Sequence, residues 1–344
     1  MSDTRNTARP NIYDVAKRAG VSHMTVSRVL NEHPNIREST RARVHSAIEE
    51  LGYQRSATAR ALATRRAMRL GALVDNPVEY GPNSMLRAFE TAAHDAGYSV
   101  GSFTATDEEA RGVDAAIERL LAQDLDGLCV IAPRASSTRK LQRRKLAVPT
   151  ILLIPERVPG AATASVDQYG GAGLAMAHLV ELGHRRIAHL SGPLDWYDAR
   201  ERRRAWEDAL AGLPDSAAPE TLLAEGDWTA DCGYRWALEL EPGACTAVFA
   251  ANDQMALGVI HGLTERGIRV PEDVSVVGFD DIPDSRHYLP PLTTVRQDFS
   301  SLGALALQLL LATMAGEGAE GLTVIPPELV VRGSTAAPAW PLGS

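Results

Sequence analysis

The sequence predicts a small all-α head followed by an α/β core of two doubly wound subdomains. Its first part holds short stretches with apolar residues at helical spacing, whereas the remainder alternates short apolar runs with amphipathic stretches. The 344 residues, 45% of them hydrophobic, exceed one ordinary domain and can bury more than one core. We therefore place a head over residues 1–53, a connecting segment over 54–69 and a core over 70–344.

Three short helices fit into the head, beginning with one over residues 12–18. Gly20 follows this helix, where a left-handed C-cap is favourable, and the Ser22 hydroxyl can cap a second helix. A third helix is predicted over residues 38–51. Only Gly20, Val21 and Ser22 separate the first two helices, and so short a turn forces the sharp crossing that is typical of a helix-turn-helix motif.

The second helix has two faces of different character. Val26, Val29 and Leu30 form an apolar stripe at helical spacing. The opposite face carries polar and flexible side chains, namely Met24, Ser27, Arg28 and Asn31. Such a face either meets solvent or contacts a partner, and the helix pattern alone leaves both interpretations open.

The charge of the chain is divided unevenly between head and core. Residues 1–69 carry 13 Lys and Arg against 6 Asp and Glu, a net charge of +7, so the remaining residues must carry −15 to give the overall −8. A basic head on an acidic body predicts that the head contacts a polyanion such as nucleic acid. A solvated basic face is the other interpretation that charge alone permits.

The core contains two series of short apolar runs that are typical of buried parallel strands. The first series comprises residues 70–74, 98–103, 127–131 and 150–154, with helices predicted near 83–96, 107–123 and 138–146. The second series comprises residues 186–190, 221–225, 246–250 and 274–278. Ligands of such sheets bind outside the carboxyl ends of the strands, so a cleft between the two subdomains is the predicted pocket.

Several motifs in the core suggest an enzyme or a metal site but lack the required pattern. Residues 170–179, GGAGLAMAHL, lack the third glycine of a dinucleotide fingerprint. Asp280 and Asp281 are adjacent in a predicted strand and point to opposite faces, which makes them a poor catalytic pair for a glycosidase. Three histidines of the core are not spaced for one helix face: His178, His184 and His189. We therefore predict no catalytic residue, no metal site and no cofactor.

Features of membrane and secreted proteins are missing from the sequence. No run of about 18 apolar residues occurs, and the N-terminal MSDTRNTARPN lacks the apolar middle of a signal peptide. The three cysteines, Cys129, Cys232 and Cys245, are odd in number and widely spaced, which favours unpaired thiols. The sequence therefore predicts a cytoplasmic protein without a membrane partner.

Four segments of the head follow one another at a characteristic spacing: YDVAKRAGVS, TVSRVLN, TRARV and LGY. They resemble the DNA-binding head of the LacI family of bacterial transcription regulators. The resemblance implies that the second helix lies in the major groove. It places His23, Met24 and Arg28 at base edges, Thr25 and Ser27 near phosphates, and Asn31 as a helix cap or a phosphate contact. The chemistry agrees for Arg28, whose planar guanidinium suits guanine, and for Met24, which can contact a thymine methyl group. For His23, a phosphate contact and a mere helix-start residue stay open as alternatives.

The connecting segment, residues 54–69, is rich in Ala and Arg and has too few large apolar residues for a core. By itself it predicts either a flexible basic linker or a helix that forms only when something packs against it. In the LacI family this segment becomes a hinge helix in the DNA minor groove. The resemblance implies that Leu62 is inserted between base steps, with Ala59 beside it.

Four segments of the core, GHRRIAHLSGPL, EGDW, ANDQMALG and PPLTTVRQDF, are similar to LacI-type sugar repressors, whose core is periplasmic-binding-protein-like. The resemblance implies an effector site formed by Arg202, Trp228, Asn252, Asp280, Gln297 and Phe299. Planar polar groups and an aromatic face suit the hydroxyls and the ring C–H groups of a sugar. We assign Arg202, Asn252 and Asp280 to sugar hydroxyls and Trp228 to stacking. A core position for Trp228 and a helix-capping role for Asn252 are the structural alternatives.

The first subdomain departs from that pattern. Ile131 and Ile154 occupy strand ends where polar, sugar-facing residues are expected. Asp75, Glu79 and Tyr80 replace neutral residues in the loop after the first strand. The far wall of the pocket is therefore different, and a galactoside, a glucoside, a xyloside and an oligosaccharide all stay open as effectors.

Together these observations predict a homodimeric, sequence-specific transcriptional repressor. Its affinity for a pseudopalindromic double-stranded operator DNA is set by a small sugar effector. Residues 333–344 contain no leucine heptads that could build a tetramer-forming coiled coil, which favours a dimer. The alternatives are a regulator tightened by a corepressor, a carbohydrate-binding protein without a regulatory role and a glycoside-active enzyme.

Overall fold

The structure is a computed structural model and describes residues 10–30, 33–53, 67–105, 118–120, 122–142, 146–213, 222–318 and 320–339. The chain divides into two compact units, Met1–Met68 and Arg69–Ser344, here called the head unit and the core unit. Asn31, Ala59 and Leu62 lie outside the described residues, and so does most of the connecting segment.

The described part of the head unit forms the helices α1 (Ile12–Ala19), α2 (His23–Leu30) and α3 (Glu38–Leu51). Asn11 begins α1 with a capping box: its side chain accepts from the Asp14 backbone N–H, and the Asp14 carboxylate accepts from the Asn11 backbone N–H. Gly20 ends this helix in the left-handed conformation at φ 65°. The Ser22 hydroxyl accepts from the Thr25 backbone N–H at 3.1 Å. Both predicted caps, and the short turn between them, are confirmed.

The apolar sides of the three helices meet in one small core. Val15, Val26, Val29 and Val44 are each at most 1% exposed. Leu30 packs at the edge of this cluster and is only partly buried. Burial of the valine stripe fixes the rotation of α2, so its opposite face lies at the surface of the head unit.

The first subdomain of the core unit is a six-stranded parallel sheet. Its strands are β1 (Arg69–Asp75), β2 (Ser99–Ala105), β3 (Gly127–Ile131), β4 (Thr150–Leu153), β5 (Ala162–Val166) and β11 (Gly321–Ile325). They are arranged in the order β11-β5-β4-β3-β1-β2. The helices assigned to this subdomain are α4 (Tyr80–Asp95), α5 (Ala135–Gln142) and α10 (Phe299–Ala315). α4 and α10 pack against each other and against the sheet.

The second subdomain repeats this plan with one reversed strand. Its strands are β6 (Ile187–Ser191), β7 (Leu223–Glu225), β8 (Ala247–Ala250), β9 (Ser275–Asp280), β10 (Thr293–Arg296) and β12 (Glu328–Val330), in the order β12-β10-β9-β8-β6-β7. β12 pairs antiparallel with β10. Its helices are α6 (Gln168–Glu181), α7 (Tyr197–Ala211), α8 (Ala230–Glu239) and α9 (Asp253–Glu265). Among the helices that the structure describes, none has the length and hydrophobicity needed to cross a membrane.

The chain passes between the two subdomains at three places in the described core. These crossings lie between β5 and α6, between β10 and α10, and between β11 and β12. Each is only one or two residues long. Because the sheets are parallel, the carboxyl ends of β1 and β9 face the space between the subdomains, where the sequence predicts the pocket.

The predicted strands of the longer apolar runs are confirmed, with ends shifted by one or two residues. Four strands were missed because their runs are short or contain Thr and Ser: β5, β10, β11 and β12. The predicted helix over 83–96 begins earlier, at Tyr80, because Pro82 is tolerated in a first turn, where its missing N–H needs no partner. The predicted helix over 138–146 lies instead at Ala135–Gln142, and most of the one over 107–123 falls outside the described residues.

Helices α8 and α9 approach each other so closely that glycines are required where they cross. A Cβ atom on Gly258 would lie 1.8 Å from the Ala230 carbonyl oxygen, and one on Gly233 would lie 2.1 Å from the Met255 carbonyl oxygen. Distances this short leave no room for any side chain. The close approach buries Met255 fully and holds the start of α9 beside the cleft.

We expect Gly258→Ala to lower the free energy of unfolding by about 1–3 kcal/mol, because α8 must move to make room. The matched control is Gly173→Ala in α6, where a Cβ meets nothing within 4 Å. Alanine there favours the helix by about 1 kcal/mol. Urea unfolding measures both changes, and equal stability of the two variants would contradict the tight crossing.

Candidate functional site

The outer face of α2 is the first candidate site. Met24 is 58% exposed, and the side chains of His23 and Arg28 are also exposed. Thr25 and Ser27 are partly buried, and the Thr25 hydroxyl shares a 2.9 Å hydrogen bond with Ser22. These predicted DNA contacts therefore share the surface opposite the buried valines.

An exposed tyrosine extends this face and was missed in the sequence. The ring of Tyr13, which is 64% exposed, lies 5.1 Å from the ring of His23 at an angle of 41°. Tyr13 belongs to α1, so the contact positions His23 against the neighbouring helix. The signal in the sequence was a large aromatic residue on the polar side of an amphipathic helix.

The second candidate site is a cleft in the core unit. It is lined by residues of both subdomains: Glu79, Tyr80, Gly81, Pro82, Trp196, Asp198, Arg202, Trp228, Asn252, Asp280 and Gln297. The structure thus brings together Arg202, Trp228, Asn252, Asp280 and Gln297, as the sequence predicts. Phe299 is not in this lining; its ring packs edge-on against Tyr80 at 6.0 Å.

Four buried side chains form a closed ring at the cleft. Arg202 donates to Gln168 Oε1 from Nε at 2.9 Å and from Nη2 at 2.8 Å. Gln168 Nε2 donates to Gln297 Oε1 at 2.8 Å, and Gln297 Nε2 donates to Asp280 Oδ1 at 2.6 Å. The ring closes where Arg202 Nη2 approaches Asp280 Oδ1 at 3.8 Å. Arg202 can only donate and the Asp280 carboxylate can only accept, so together they fix the orientation of the amide groups of Gln168 and Gln297.

Arg202 is the central cation of this arrangement. It is 3% exposed, and burial lowers the pKa of its guanidinium while Asp280 and Asp198 favour the charged form. Its Nη1 donates to the Ala251 carbonyl, and its guanidinium lies 3.7 Å from the centre of the Phe279 ring. Arginine stays charged under such conditions, so the surrounding groups hold it as a fixed cation.

Trp228 and Asn252 hold each other at the edge of the cleft. Asn252 caps α9, since its Oδ1 accepts from the Met255 backbone N–H at 2.8 Å, and its Nδ2 donates to the Trp228 carbonyl at 3.0 Å. Trp228 has a positive φ of 71°. A Cβ atom on Gly192 would lie 2.1 Å from the Trp228 ring, so only glycine permits this position. Asn252 therefore has the structural role that the sequence left open.

A second tryptophan lines the cleft and was missed in the sequence. Trp196 packs edge-on against Trp228 with their ring centres 5.4 Å apart. The chain around it joins the two subdomains: Ala135 N–H donates to the Asp195 carbonyl at 2.8 Å, and Tyr197 N–H donates to the Pro133 carbonyl at 2.9 Å. Its signal was an aromatic residue in the loop after β6.

The two neighbouring aspartates at the end of β9 have separate partners. Burial raises the pKa of Asp280 to about 6, although Arg202 and Gln297 oppose this shift. Asp281 accepts from Arg296 Nε at 2.7 Å and from Arg332, and these contacts lower its pKa although partial burial opposes them. Only Asp280 lines the cleft, which argues against a facing carboxylate pair.

The histidines that the sequence singled out are dispersed. His178 bonds to Thr335, His184 Nδ1 bonds to Thr246, and His189 Nδ1 donates to the Phe249 carbonyl. No group of His, Cys, Asp or Glu within the described residues is arranged to hold a metal ion.

The cleft has two walls: the first wall is formed by residues of the first subdomain and the second wall by residues of the second subdomain. Their side chains differ. Ile131 and Ile154 are at most 1% exposed and belong to the first-subdomain interior, outside the lining. Asp75 is also buried and does not line the cleft. Glu79 and Tyr80 supply the polar side chains of this wall.

Comparison with known proteins gives the same architecture. Residues 11–56 match the family described as bacterial regulatory proteins, lacI family, and residues 176–335 match the periplasmic binding protein-like domain. The lactose operon repressor of Escherichia coli K12 is 35% identical over 331 residues, covering 95% of this chain and 91% of that protein.

Two solved structures have a similar fold. The lac repressor dimer bound to operator and the anti-inducer ONPF has a TM-score of 0.83 at 34% identity and covers 96% of this chain and 100% of that one. The transcriptional regulator CelR–cellobiose complex has a TM-score of 0.69 at 32% identity and covers 95% and 100%. The predicted fold class, a helix-turn-helix head on a periplasmic-binding-protein-like core, is confirmed.

We expect the stability of the wild type relative to Asp280→Asn to fall as the pH rises from about 4 to about 6. The reason is that the carboxyl has a pKa of about 6 when folded and an ordinary value of 3.8 when unfolded, so folding favours its protonated form. Urea unfolding of both proteins across this pH range measures the difference in their free energies of unfolding. The contributions of the other titrating groups cancel in this difference. A difference that does not change with pH would contradict the assigned burial of Asp280.

Proposed function

The chain belongs to the LacI family of bacterial regulatory proteins and is a transcriptional repressor with a DNA-binding and an effector-binding domain, and we propose that its effector is a small carbohydrate bound in the cleft. The observation that carries this proposal is the combination of two tryptophan rings with a buried network of Arg202, Asp280 and two glutamines. Aromatic faces stack on sugar C–H groups, and planar charged groups pair with adjacent hydroxyls.

On the DNA side, the repressor acts as a homodimer whose two heads read a pseudopalindromic double-stranded operator. α2 lies in the major groove, with His23, Met24 and Arg28 at base edges. Thr25 and Ser27 lie near phosphates. The exposure of Met24 and Arg28 on the face opposite the buried valines supports this orientation.

Three further residues complete the proposed DNA interface. Asn31 contacts phosphate or caps the end of α2. Ala59 and Leu62 belong to a hinge helix in the minor groove, where Leu62 is inserted between base steps. These assignments rest on the sequence resemblance, since all three residues lie outside the described ranges.

On the effector side, Arg202, Asn252, Asp280 and Gln297 bond to sugar hydroxyls and Trp228 stacks on the ring. Phe299 acts indirectly, because its ring packs edge-on against Tyr80 of the cleft wall. The structure of the relative CelR is a complex with cellobiose, which supports a carbohydrate as the class of effector.

The cleft also offers a route from effector to operator. A sugar that contacts both walls favours one orientation of the subdomains, and through the connecting segment it changes the affinity for DNA. Coupling of this kind typically amounts to about 1–3 kcal/mol, or about 5- to 150-fold in affinity. We propose that the sugar is an inducer, which weakens operator binding.

Fluorescence anisotropy of the full-length protein on its own upstream DNA tests this function. We expect affinity to fall steeply with salt, because the basic head releases counterions from phosphates. We also expect at least one small sugar to weaken binding. Equal affinity for random DNA would contradict operator recognition, tightening by the sugar would make it a corepressor, and hydrolysis of a glycoside would indicate an enzyme.

Arg28→Met is expected to weaken operator binding by about 1–3 kcal/mol while leaving binding to random DNA almost unchanged. The reason is that Arg28 is exposed and its proposed partner is a base edge. The control is Arg87→Met, which removes one exposed arginine from α4 in the core. Equal losses on operator and random DNA would show that Arg28 contacts only phosphate.

A further inference from the structure

Glu79 is a carboxyl of the cleft wall that has no partner of its own. It precedes α4 in the first subdomain and makes no capping hydrogen bond to that helix. Among the described residues its side chain forms no hydrogen bond and no ion pair, and burial and the nearby Asp227 raise its pKa. Tyr80, the other polar side chain of this wall, packs edge-on against the ring of Phe299. Glu79 is therefore the available acceptor of the first wall.

The charges that line the cleft are unbalanced. Its lining contains the carboxyls of Glu79, Asp198 and Asp280 but a single guanidinium, that of Arg202. Glu79 and Asp280 line the same cleft from different subdomains, and the charge of Glu79 adds to the raised pKa of Asp280, which burial dominates. Asp198 approaches Arg202 at 3.9 Å without a hydrogen bond. The lining therefore carries more negative than positive groups.

The single cation is already engaged by the protein. Arg202 donates to Gln168 and to the Ala251 carbonyl, and it lies within 3.9 Å of both Asp198 and Asp280. An acidic ligand would need to bring a further negative charge beside Glu79 and these carboxyls. Like charges in a partly desolvated site repel strongly, so the cleft is built against anions.

One donor of a lining residue has no acceptor. The indole Nε1 of Trp228 is buried and has no hydrogen-bond partner among the described residues. Because this nitrogen is inaccessible to solvent, a ligand in the cleft meets the ring of Trp228 and not its N–H. The lining offers a sugar hydroxyl group its carboxylate acceptors, to which that hydroxyl group can donate.

We propose that the effector is a sugar without acidic groups whose hydroxyl groups donate to Glu79, and that Glu79 excludes acidic sugars from the cleft. This inference rests on the proposed function. It makes Glu79 the residue of the first wall that determines specificity, opposite the Arg202 and Asp280 wall. A sugar bonded to both walls bridges the two subdomains.

The test is a binding panel in matched sets, measured by tryptophan fluorescence and calorimetry on the full-length protein. Neutral probes are glucose, galactose, xylose and cellobiose; acidic probes are glucuronate and galacturonate; amine probes are glucosamine and galactosamine. We expect a neutral sugar to bind and its uronate to bind at least about 100-fold more weakly, as expected for an uncompensated charge. Binding of the uronate as tightly as the neutral sugar would overturn the inference, whereas an amino sugar that binds at least as tightly as the neutral sugar would support the excess of carboxyls in the lining.

Variants of Glu79 separate its role from general packing. Glu79→Leu is expected to weaken the neutral sugar about 10- to 100-fold, the usual effect of losing a hydrogen bond to a charged group. Glu79→Gln keeps an acceptor, so it should lose less affinity and discriminate less against the uronate. Glu317→Gln, an exposed carboxyl after α10, is the control and should match the wild type. Unchanged operator affinity without sugar shows that each variant is folded.

The two proposals fail in different ways. Sugar binding that weakens operator affinity but is the same in the wild type and Glu79→Leu overturns the role of Glu79 and leaves the proposed function intact. If no sugar of any charge class binds or changes operator affinity, the carbohydrate function itself is wrong, and the inference about Glu79 fails with it.

Discussion

The buried guanidinium of Arg202 is the constraint on which the cleft depends. A charge removed from water must be offset, and removing one partner of a buried pair typically costs about 3–5 kcal/mol. Arg202 meets this requirement through Gln168, the Ala251 carbonyl and the nearby Asp280. Because Gln168 passes a hydrogen bond to Gln297 and that residue to Asp280, the cation also sets the direction of every bond in the ring. The polar wall of the cleft is therefore rigid before any ligand arrives.

The same ring ties together two places where the chain passes between subdomains. Gln168 is the first residue of α6, directly after the crossing from β5, and Gln297 lies in the crossing from β10 to α10. A ligand that bonds to Arg202 or Asp280 competes for groups that hold both crossings. Under the proposed function, this competition is how a small sugar in the cleft favours one orientation of the subdomains. The sugar changes hydrogen bonds at the crossings themselves.

Sequence reasoning located most of this wall through the resemblance to LacI-type sugar repressors, and the topology of the sheet explains why these residues lie together. Residues that follow parallel strands meet at one edge, which brings Asn252 after β8 close to Asp280 at the end of β9. It missed Gln168 and Trp196, whose positions depend on how segments distant in sequence meet. It also assigned Phe299 to the effector site; this ring is not part of the cleft lining and packs edge-on against Tyr80, which is. Strand β5, with Thr and Ser in its short run, was missed because its burial comes from neighbours and not from its own hydrophobicity.

The two walls of the cleft differ in how their polar side chains are bonded. We therefore infer that one wall contributes mainly to affinity and the other mainly to specificity. The side chains of the second wall are bonded to one another, so a ligand finds them already oriented and loses little entropy in ordering them. On the first wall, Ile131 and Ile154 are buried in the interior, and Glu79 has no hydrogen-bond partner among the described residues. An oriented network suits any polyhydroxyl ligand of the right size, whereas an unpaired carboxyl disfavours ligands that cannot donate to it. Under the proposed function, the residues of the family pattern therefore supply affinity for the sugar, and the departure from that pattern at Glu79 supplies specificity.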